Sequence, residues 1–162
     1  AANSRRFYEV VQMEISRLER GQNPFTIAYL DVDNFKTIND TFGHPEGDLV
    51  LKAIARSLRS KMRSSDLIAR VGGDEFALFF PDTTQEVARV ILPKIQEVLL
   101  TEMAKNNWTV TFSIGVVTCV TAPHVIDDVI KTADALMYSV KRNGKNMLEF
   151  SVYGAECIAD VE

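Results

Sequence analysis

Apolar residues recur along the chain with two different periods. Helical spacing, with turn residues at the ends, predicts five helices, over residues 4–20, 34–41, 49–63, 83–103 and 129–140. Continuous or alternating apolar segments predict five strands, over residues 25–31, 66–71, 75–80, 108–118 and 146–152. The predicted order is therefore helix, strand, helix, helix, strand, strand, helix, strand, helix, strand.

This order favours an α/β (α+β) fold in which helices flank a central, mostly antiparallel sheet. Gly72 and Gly73 separate two strands and predict a hairpin. Thr83 and Glu86 fit a capping box at the start of the fourth helix, and Pro93 is expected to kink or divide that helix. The fourth strand alternates apolar and polar residues, which predicts one buried face.

Length and composition indicate one domain. The 162 residues are 46% hydrophobic, enough for a single core, so we expect one domain over residues 1–162. A net charge of −4 argues against a broad nucleic-acid-binding surface. No apolar run approaches the roughly 20 residues that cross a bilayer, and the start lacks the regions of a signal peptide. Cys119 and Cys157 are too few for a disulfide framework, and we expect reduced thiols in a cytoplasmic domain.

Two acids are expected to meet at one edge of the sheet. Asp31 ends the first strand, and Asp74 follows the two glycines of the hairpin. If the two strands are neighbours, their carboxylates repel unless a cation lies between them, and such oxygen ligands suit Mg²⁺. Gly72 and Gly73 would permit a tight turn and the close approach of a polyphosphate. The alternative is a plain hairpin with solvated acids.

Residues around the acids suit a nucleotide. Lys36 lies in the short second helix, and Lys141 and Lys145 are four residues apart near the end of the chain, so together they suit phosphates. Asn39 and Asp48 have the donor and acceptor groups that read a guanine edge. Each lysine taken singly also fits a solvated surface charge.

Four motifs occur in the order of one known family. They are DVDNFKTINDTFGHPEGD, RSSDLIARVGGDEF, FSIGV and ADALMYSVKRNGKN. The chain therefore resembles the GGDEF domain, the diguanylate cyclase family, from Asn3 to about Phe150. The resemblance implies a fold similar to nucleotidyl cyclase catalytic domains and the polymerase palm.

The family joins two GTP molecules into cyclic di-GMP and releases two pyrophosphates. By resemblance, Asp31, the backbone carbonyl of Val32 and Asp74 hold two Mg²⁺ ions, or Mn²⁺ in their place. The implied catalytic residues are Asp74, Glu75 and Lys36. Asp33 belongs to the motif but receives no metal.

The resemblance also implies a set of substrate-binding residues. They are Phe35, Lys36, Asn39, His44, Asp48, Lys141 and Lys145. Asn39 and Asp48 match the guanine readers, whereas His44 fits either a nucleotide contact or a structural role in its turn. Lys145 replaces the more usual arginine, which exchanges a bidentate fork for a point charge.

Arg63 and Asp66 match the family's Arg-x-x-Asp site for inhibition by the product. The alternative is a helix-end arginine with an acid that caps the hairpin entry.

The implied enzyme is a homodimer, since one product needs two nucleotides. The usual Asp-x-Leu-Thr-Gly-Leu start is missing, so we expect a domain cut from a longer sensor protein, with an upstream sensory domain and a parent that is free or membrane-attached. Arg70 would then lack its usual partner.

Two other functions remain open at the level of sequence. One is a catalytically silent receptor for cyclic di-GMP or GTP, against which the intact acids count. The other is a different palm-type nucleotidyl cyclase or polymerase that uses the same acids.

Overall fold

The sequence folds into helices and strands in the order that its apolar pattern predicts. The computed structural model describes residues 4–21, 23–123 and 125–154; Asn3 and Cys157 lie outside them. The helices are α1 (Ser4–Glu19), α2 (Phe35–Phe42), α3 (His44–Lys61), α4 (Gln85–Lys105) and α5 (Ile126–Arg142). The strands are β1 (Phe25–Asp33), β2 (Leu67–Arg70), β3 (Glu75–Phe80), β4 (Thr111–Cys119) and β5 (Leu148–Tyr153).

The strands form one five-stranded sheet in the order β2-β3-β1-β4-β5. β1 is antiparallel to both β3 and β4, β2 is antiparallel to β3, and β4 and β5 are parallel. The predicted α+β class with a mostly antiparallel sheet is therefore confirmed. The hairpin of β2 and β3 forms across the two glycines as predicted, and β1 lies at the centre of the sheet.

Alternate residues of β1 face two different layers of helices, as the period of a strand requires. Ala28 and Leu30 belong to the core cluster that contains residues of α3 and α4. Ile27 and Tyr29 belong to the cluster that contains residues of α1 and α5. Continuing the alternation, Asp31 lies on the α5 side of the sheet.

Three local predictions are wrong. β1 continues two residues beyond Asp31, because its backbone stays paired with β4 after the apolar run ends. β4 is buried on both faces from its second residue onward, since helices cover both sides of the sheet. Pro93 does not divide α4, so a kink there stays a prediction. The side chain that caps α4 is Thr84, which accepts from the Val87 N–H. Thr83 instead donates to the Pro81 carbonyl.

Gly115 is expected to be essential for docking α5 on β4. A Cβ there would overlap the Ala133 carbonyl oxygen and the Met137 backbone nitrogen. Gly115→Ala should lower the free energy of unfolding by about 2 kcal/mol, as overpacking does, measured by urea denaturation. Gly73→Ala is the control, because its Cβ would meet nothing within 4 Å. Equal stability of the two variants would contradict the packing described.

Among the described helices, none combines the length and apolar character that a membrane crossing needs.

Candidate active site

Three acidic residues meet where β1 and β3 pair. Asp31 stands directly opposite Glu75, the first residue of β3. One residue further, the Val32 N–H donates to the Asp74 carbonyl oxygen at 3.0 Å. This bond ties the loop that carries Asp74 to the end of β1. The structure thus brings together the acids that the sequence placed on separate strands.

Asp31 is buried and has one oxygen without a partner. Burial raises the pKa of Asp31, a hydrogen bond from Lys141 opposes the rise, and the charge of Asp74 adds to it. Its Oδ1 atom is buried without a hydrogen-bond partner; among the described residues only Asn39 Oδ1 shares this condition. A buried, unpaired carboxylate oxygen is costly unless a cation or donor lies beside it, so Asp31 fits a metal ion.

The donors at this edge suit a hard cation that keeps part of its water shell. The predicted ligands Asp31, Asp74 and the carbonyl of Val32 all offer oxygen. Within residues 4–21, 23–123 and 125–154, no group of three or more His, Cys, Asp or Glu side chains is arranged as a metal cage. Mg²⁺ commonly takes one or two carboxylates and completes its shell with water and phosphate oxygens. The chemistry of the donor set therefore fits Mg²⁺.

Lys141 lies between two of the strand-end acids. Its Nζ atom is 2.8 Å from Asp31 Oδ2 and 3.1 Å from Asp33 Oδ1. Burial would lower the pKa of Lys141, but the two acidic partners raise it above its usual value. The lysine predicted to bind phosphate is therefore a charged group held at the acidic edge. We did not predict its anchoring by Asp33, although the alternation of β1 places Asp33 on the same face as Asp31.

Asp33 is fully buried and satisfied by its neighbours. It accepts from Ser113 Oγ and Thr111 Oγ1, each at 2.7 Å, and from the Asn146 N–H at 3.1 Å. Burial raises its pKa, but these hydroxyl bonds and Lys141 outweigh that and hold the pKa below its usual range. With its oxygens already engaged, Asp33 serves as an anchor, which agrees with its assignment to no metal.

Glu75 has a carboxyl group that holds its proton more tightly than usual. Burial is the main cause of the raised pKa, followed by the charges of Asp31, Asp134 and Asp74. The side chain lines a cavity of about 300 Å³ between α1, α5 and the sheet, together with Tyr29. Glu75 thus adds a third carboxyl group to the edge formed by Asp31 and Asp74.

The predicted guanine readers lie on α2 and α3. Asn39 has a buried, unpaired Oδ1 atom, and Gly47 faces it so closely that a Cβ there would overlap this oxygen. Asp48, one residue later, is exposed and lines a cavity of about 380 Å³ with Arg70 and Phe76. Asn39 thus contacts α3 at Gly47, the residue before Asp48, and the exposed His44 is the first residue of α3.

The start of α2 carries the remaining predicted phosphate ligands. Lys36 is exposed, and Phe35 is half-buried against the core. Lys145 reaches the same place from the far end of the chain, since its Nζ donates to Asn34 Oδ1 at 3.3 Å. Asn34 is the N-cap residue of α2. Lys36 and Lys145 are thus neighbours of one helix N-terminus, which favours anions.

The two glycines of the hairpin are not needed for the turn itself. Neither has a positive φ, and a Cβ at Gly73 would meet nothing within 4 Å, so the predicted conformational reason is wrong. The close approach of a polyphosphate to these glycines stays a prediction. Arg70 stabilises the turn, because its side chain donates to the Gly72 carbonyl at 3.2 Å and to the Gly73 carbonyl at 2.7 Å. Arg70 thus has backbone partners, and the expectation that it lacks its usual aspartate partner stays a prediction.

Arg63 and Asp66 lie at the opposite end of the hairpin, before β2 begins. Arg63 donates to Asp66 Oδ1 from Nε at 3.2 Å and from a terminal nitrogen at 2.9 Å. The same terminal nitrogen donates to the Pro81 carbonyl at 2.7 Å. The arginine and the aspartate are thus preassembled at a site separate from the acidic edge.

The motifs and this geometry agree with one family. A family model described as diguanylate cyclase, GGDEF domain, matches residues 2–147. The chain belongs to this family. The predicted resemblance to the GGDEF domain is confirmed by this match, and the curated relatives include proteins named diguanylate cyclase.

Known proteins resemble this GGDEF domain in sequence and in structure. Diguanylate cyclase DgcP of Pseudomonas aeruginosa is 36% identical over 87% of this chain and 21% of its own length. The active GGEEF domain of a diguanylate cyclase from Vibrio cholerae is 30% identical, with a TM-score of 0.82 over 92% of this chain and 96% of that one. The GGDEF domain of DgcB from Caulobacter crescentus, in complex with c-di-GMP, is 28% identical, with a TM-score of 0.80 over 92% and 90%.

The chain spans between 21% and 40% of the length of the first curated relatives that it matches.

Proposed function

We propose that this GGDEF domain is the catalytic part of a diguanylate cyclase that works as a homodimer. Each GTP 3′-oxygen forms a bond to the α-phosphorus of the other GTP. The bond from that phosphorus to the β-phosphate bridge breaks, pyrophosphate leaves, and the hydroxyl proton passes to a base. The observation that carries the proposal is the buried, unpaired Asp31 oxygen beside Asp74 and Glu75 in an intact GGDEF sequence.

The acidic edge prepares the reacting groups. Asp31, Asp74 and the carbonyl of Val32 would hold two Mg²⁺ ions. When bound, such ions neutralise charge on the α-phosphate and acidify the 3′-hydroxyl. Glu75, which lies opposite Asp31 at this edge, is assigned to catalytic support of the acids. Asp74 would hold a metal ion and, with Lys36, completes the catalytic set.

Cations at the edge bind the triphosphate. The ion pair with Asp33 holds Lys141 beside the acidic edge. Its ammonium group can therefore leave Asp31 and bind a phosphate oxygen instead. The β- and γ-phosphates bind at the start of α2, where Phe35 lies, and contact Lys36 and Lys145. A lysine at position 145 binds phosphate as a point charge, which gives weaker orientation than a bidentate arginine.

The base is read beside α3. Asp48 accepts from the guanine N1 and N2 hydrogens, and Asn39, whose Oδ1 is buried and unpaired, bonds to the base edge. His44 contacts the nucleotide from the start of the same helix. The proposal also includes an upstream sensory domain in a longer parent protein, which the greater length of the curated relatives supports.

The decisive test is incubation of the chain with GTP and Mg²⁺ over a series of protein concentrations. We expect cyclic di-GMP and pyrophosphate, with a rate that rises faster than linearly because two domains must meet. ATP in place of GTP should give no cyclic dinucleotide. Binding of GTP without turnover at any concentration would identify a receptor instead, and a linear rate would contradict the dimer.

We also propose that cyclic di-GMP binds at Arg63 and Asp66 and inhibits the enzyme. An arginine fork suits a phosphate or a guanine edge, and Arg63 would exchange its present acceptors, Asp66 and Pro81, for the ligand. Arg63→Ala should weaken cyclic di-GMP binding about tenfold or more, the value of charge-assisted hydrogen bonds, measured by calorimetry. Arg56→Ala, an exposed arginine of α3, is the control. Equal affinity of the two variants for cyclic di-GMP would contradict binding at Arg63 and Asp66.

A further inference from the structure

Trp108 is the single tryptophan of the chain and is fixed by its surroundings. It follows α4, and its backbone N–H donates to the Met103 carbonyl at 3.0 Å. Its side chain is 8% exposed and belongs to the core cluster between the sheet and helices α3 and α4. The indole Nε1–H donates to Glu46 Oε2 at 2.8 Å. A rigid core residue is thus bonded to a residue 62 positions earlier in α3.

Glu46 is free to accept this bond because the helix start does not need it. A glutamate at the third position of a helix usually reaches back to the N-cap amide. Here the N-cap residue is Gly43, whose N–H already donates to the Asn39 carbonyl at 2.9 Å, and no side chain caps α3. The Glu46 carboxylate is directed to the indole instead, so the first turn of α3 is attached both to α2 and to the core.

The first turn of α3 lies between the two groups that we assign to the base along the chain, Asn39 of α2 and Asp48 of α3. Gly47, next to Glu46, lies against Asn39 Oδ1 without room for a Cβ. Asp48 follows directly. Any sliding of the turn relative to α2 would therefore change the distance between the Asn39 amide and the Asp48 carboxylate, which must match the width of a purine edge.

We propose that the Trp108–Glu46 hydrogen bond is a positioning device that sets the affinity and selectivity of this site for guanine. The inference rests on the proposed function of Asn39 and Asp48. In this proposal Glu46 and Trp108 act without touching the nucleotide, by fixing the turn that packs on Asn39 and leads into Asp48. Without the Glu46 bond, the first turn would be joined to the core only through the later residues of α3, whose members in that core begin at Val50.

The test compares binding of non-hydrolysable GTP and ITP analogues, with Mg²⁺, by calorimetry. Inosine lacks the 2-amino group, so the ratio of the two Kd values measures how well Asp48 is placed. Trp108→Phe and Glu46→Ala should raise the Kd for the GTP analogue about three- to tenfold, the effect of one hydrogen bond. Both should reduce its preference over the ITP analogue. Glu46→Gln, whose amide oxygen still accepts from the indole, should keep most of the preference.

Glu102→Ala is the matched control, because Glu102 accepts from Asn106 near the end of α4 and is not bonded to α3. Urea denaturation confirms that each variant is folded. Unchanged Kd values, or equal weakening of both analogues, would overturn the positioning role while leaving the proposed function intact. If the wild type binds neither analogue, the proposed function itself fails and this inference fails with it.

Discussion

Asp74→Ala abolishes cyclic di-GMP formation, with turnover expected to fall about 10³-fold or more. The variant removes a proposed metal ligand whose loop is bonded to the end of β1. Metal ions contribute several kcal/mol to stabilising charge in such a transition state, and each 1.4 kcal/mol is worth about tenfold in rate. The measurement is product formation from GTP at saturating Mg²⁺.

The control for this variant is Asp127→Ala, an exposed acid in the first turn of α5. It should keep turnover within about twofold, since exposed substitutions have small effects. GTP affinity should change less than turnover in Asp74→Ala, because the base and phosphate contacts remain. Undiminished product formation by Asp74→Ala would contradict the proposed role of the acidic edge in catalysis.

Asp33→Ala is expected to destabilise the fold by about 3 kcal/mol, the scale of removing one partner from a buried ion pair. The fully buried carboxylate accepts from Ser113, Thr111 and the Asn146 amide and pairs with Lys141. Its loss leaves those donors unpaired around the ends of β1 and β4. The free energy of unfolding is measured by urea denaturation.

Asp40→Ala, an exposed acid of α2, is the control and should change that free energy by less than about 0.5 kcal/mol. Asp33→Ala should also lower cyclase turnover, since Lys141 loses its anchor. A variant as stable as the wild type would show that Asp33 is not the structural anchor described. A stable but inactive variant would indicate a direct role in catalysis.

The sequence predicted the fold well because its signals are local. The periods of apolar residues and the glycine pair indicated every helix and strand in order. Errors arose where tertiary contacts override local pattern. Thr83 fits a capping box in the sequence, but in the fold its hydroxyl accepts from Arg63 and donates to the Pro81 carbonyl. Thr84 caps α4 instead. β1 extends past its apolar run because β4 continues to pair with it.

The acids and bases of the candidate site were predictable from motifs, but their supporting contacts were not. The bond of Lys141 to Asp33 joins residues 108 positions apart, and that of Trp108 to Glu46 joins residues 62 apart. No local spacing indicates such pairs, because each depends on the register of the sheet and the packing of a helix. Arg70 illustrates the same limit, since its partners are backbone carbonyls that the sequence does not specify.

The most direct test of the account is anomalous diffraction from crystals grown with Mn²⁺ and a non-hydrolysable GTP analogue. Manganese replaces Mg²⁺ at oxygen sites and is located by its own signal. We predict a manganese peak between the carboxylates of Asp31 and Asp74, with the analogue's phosphates beside it and Lys141 turned toward them. A peak elsewhere, or none while the analogue is bound and Asp31 still pairs with Lys141, would contradict the central claim.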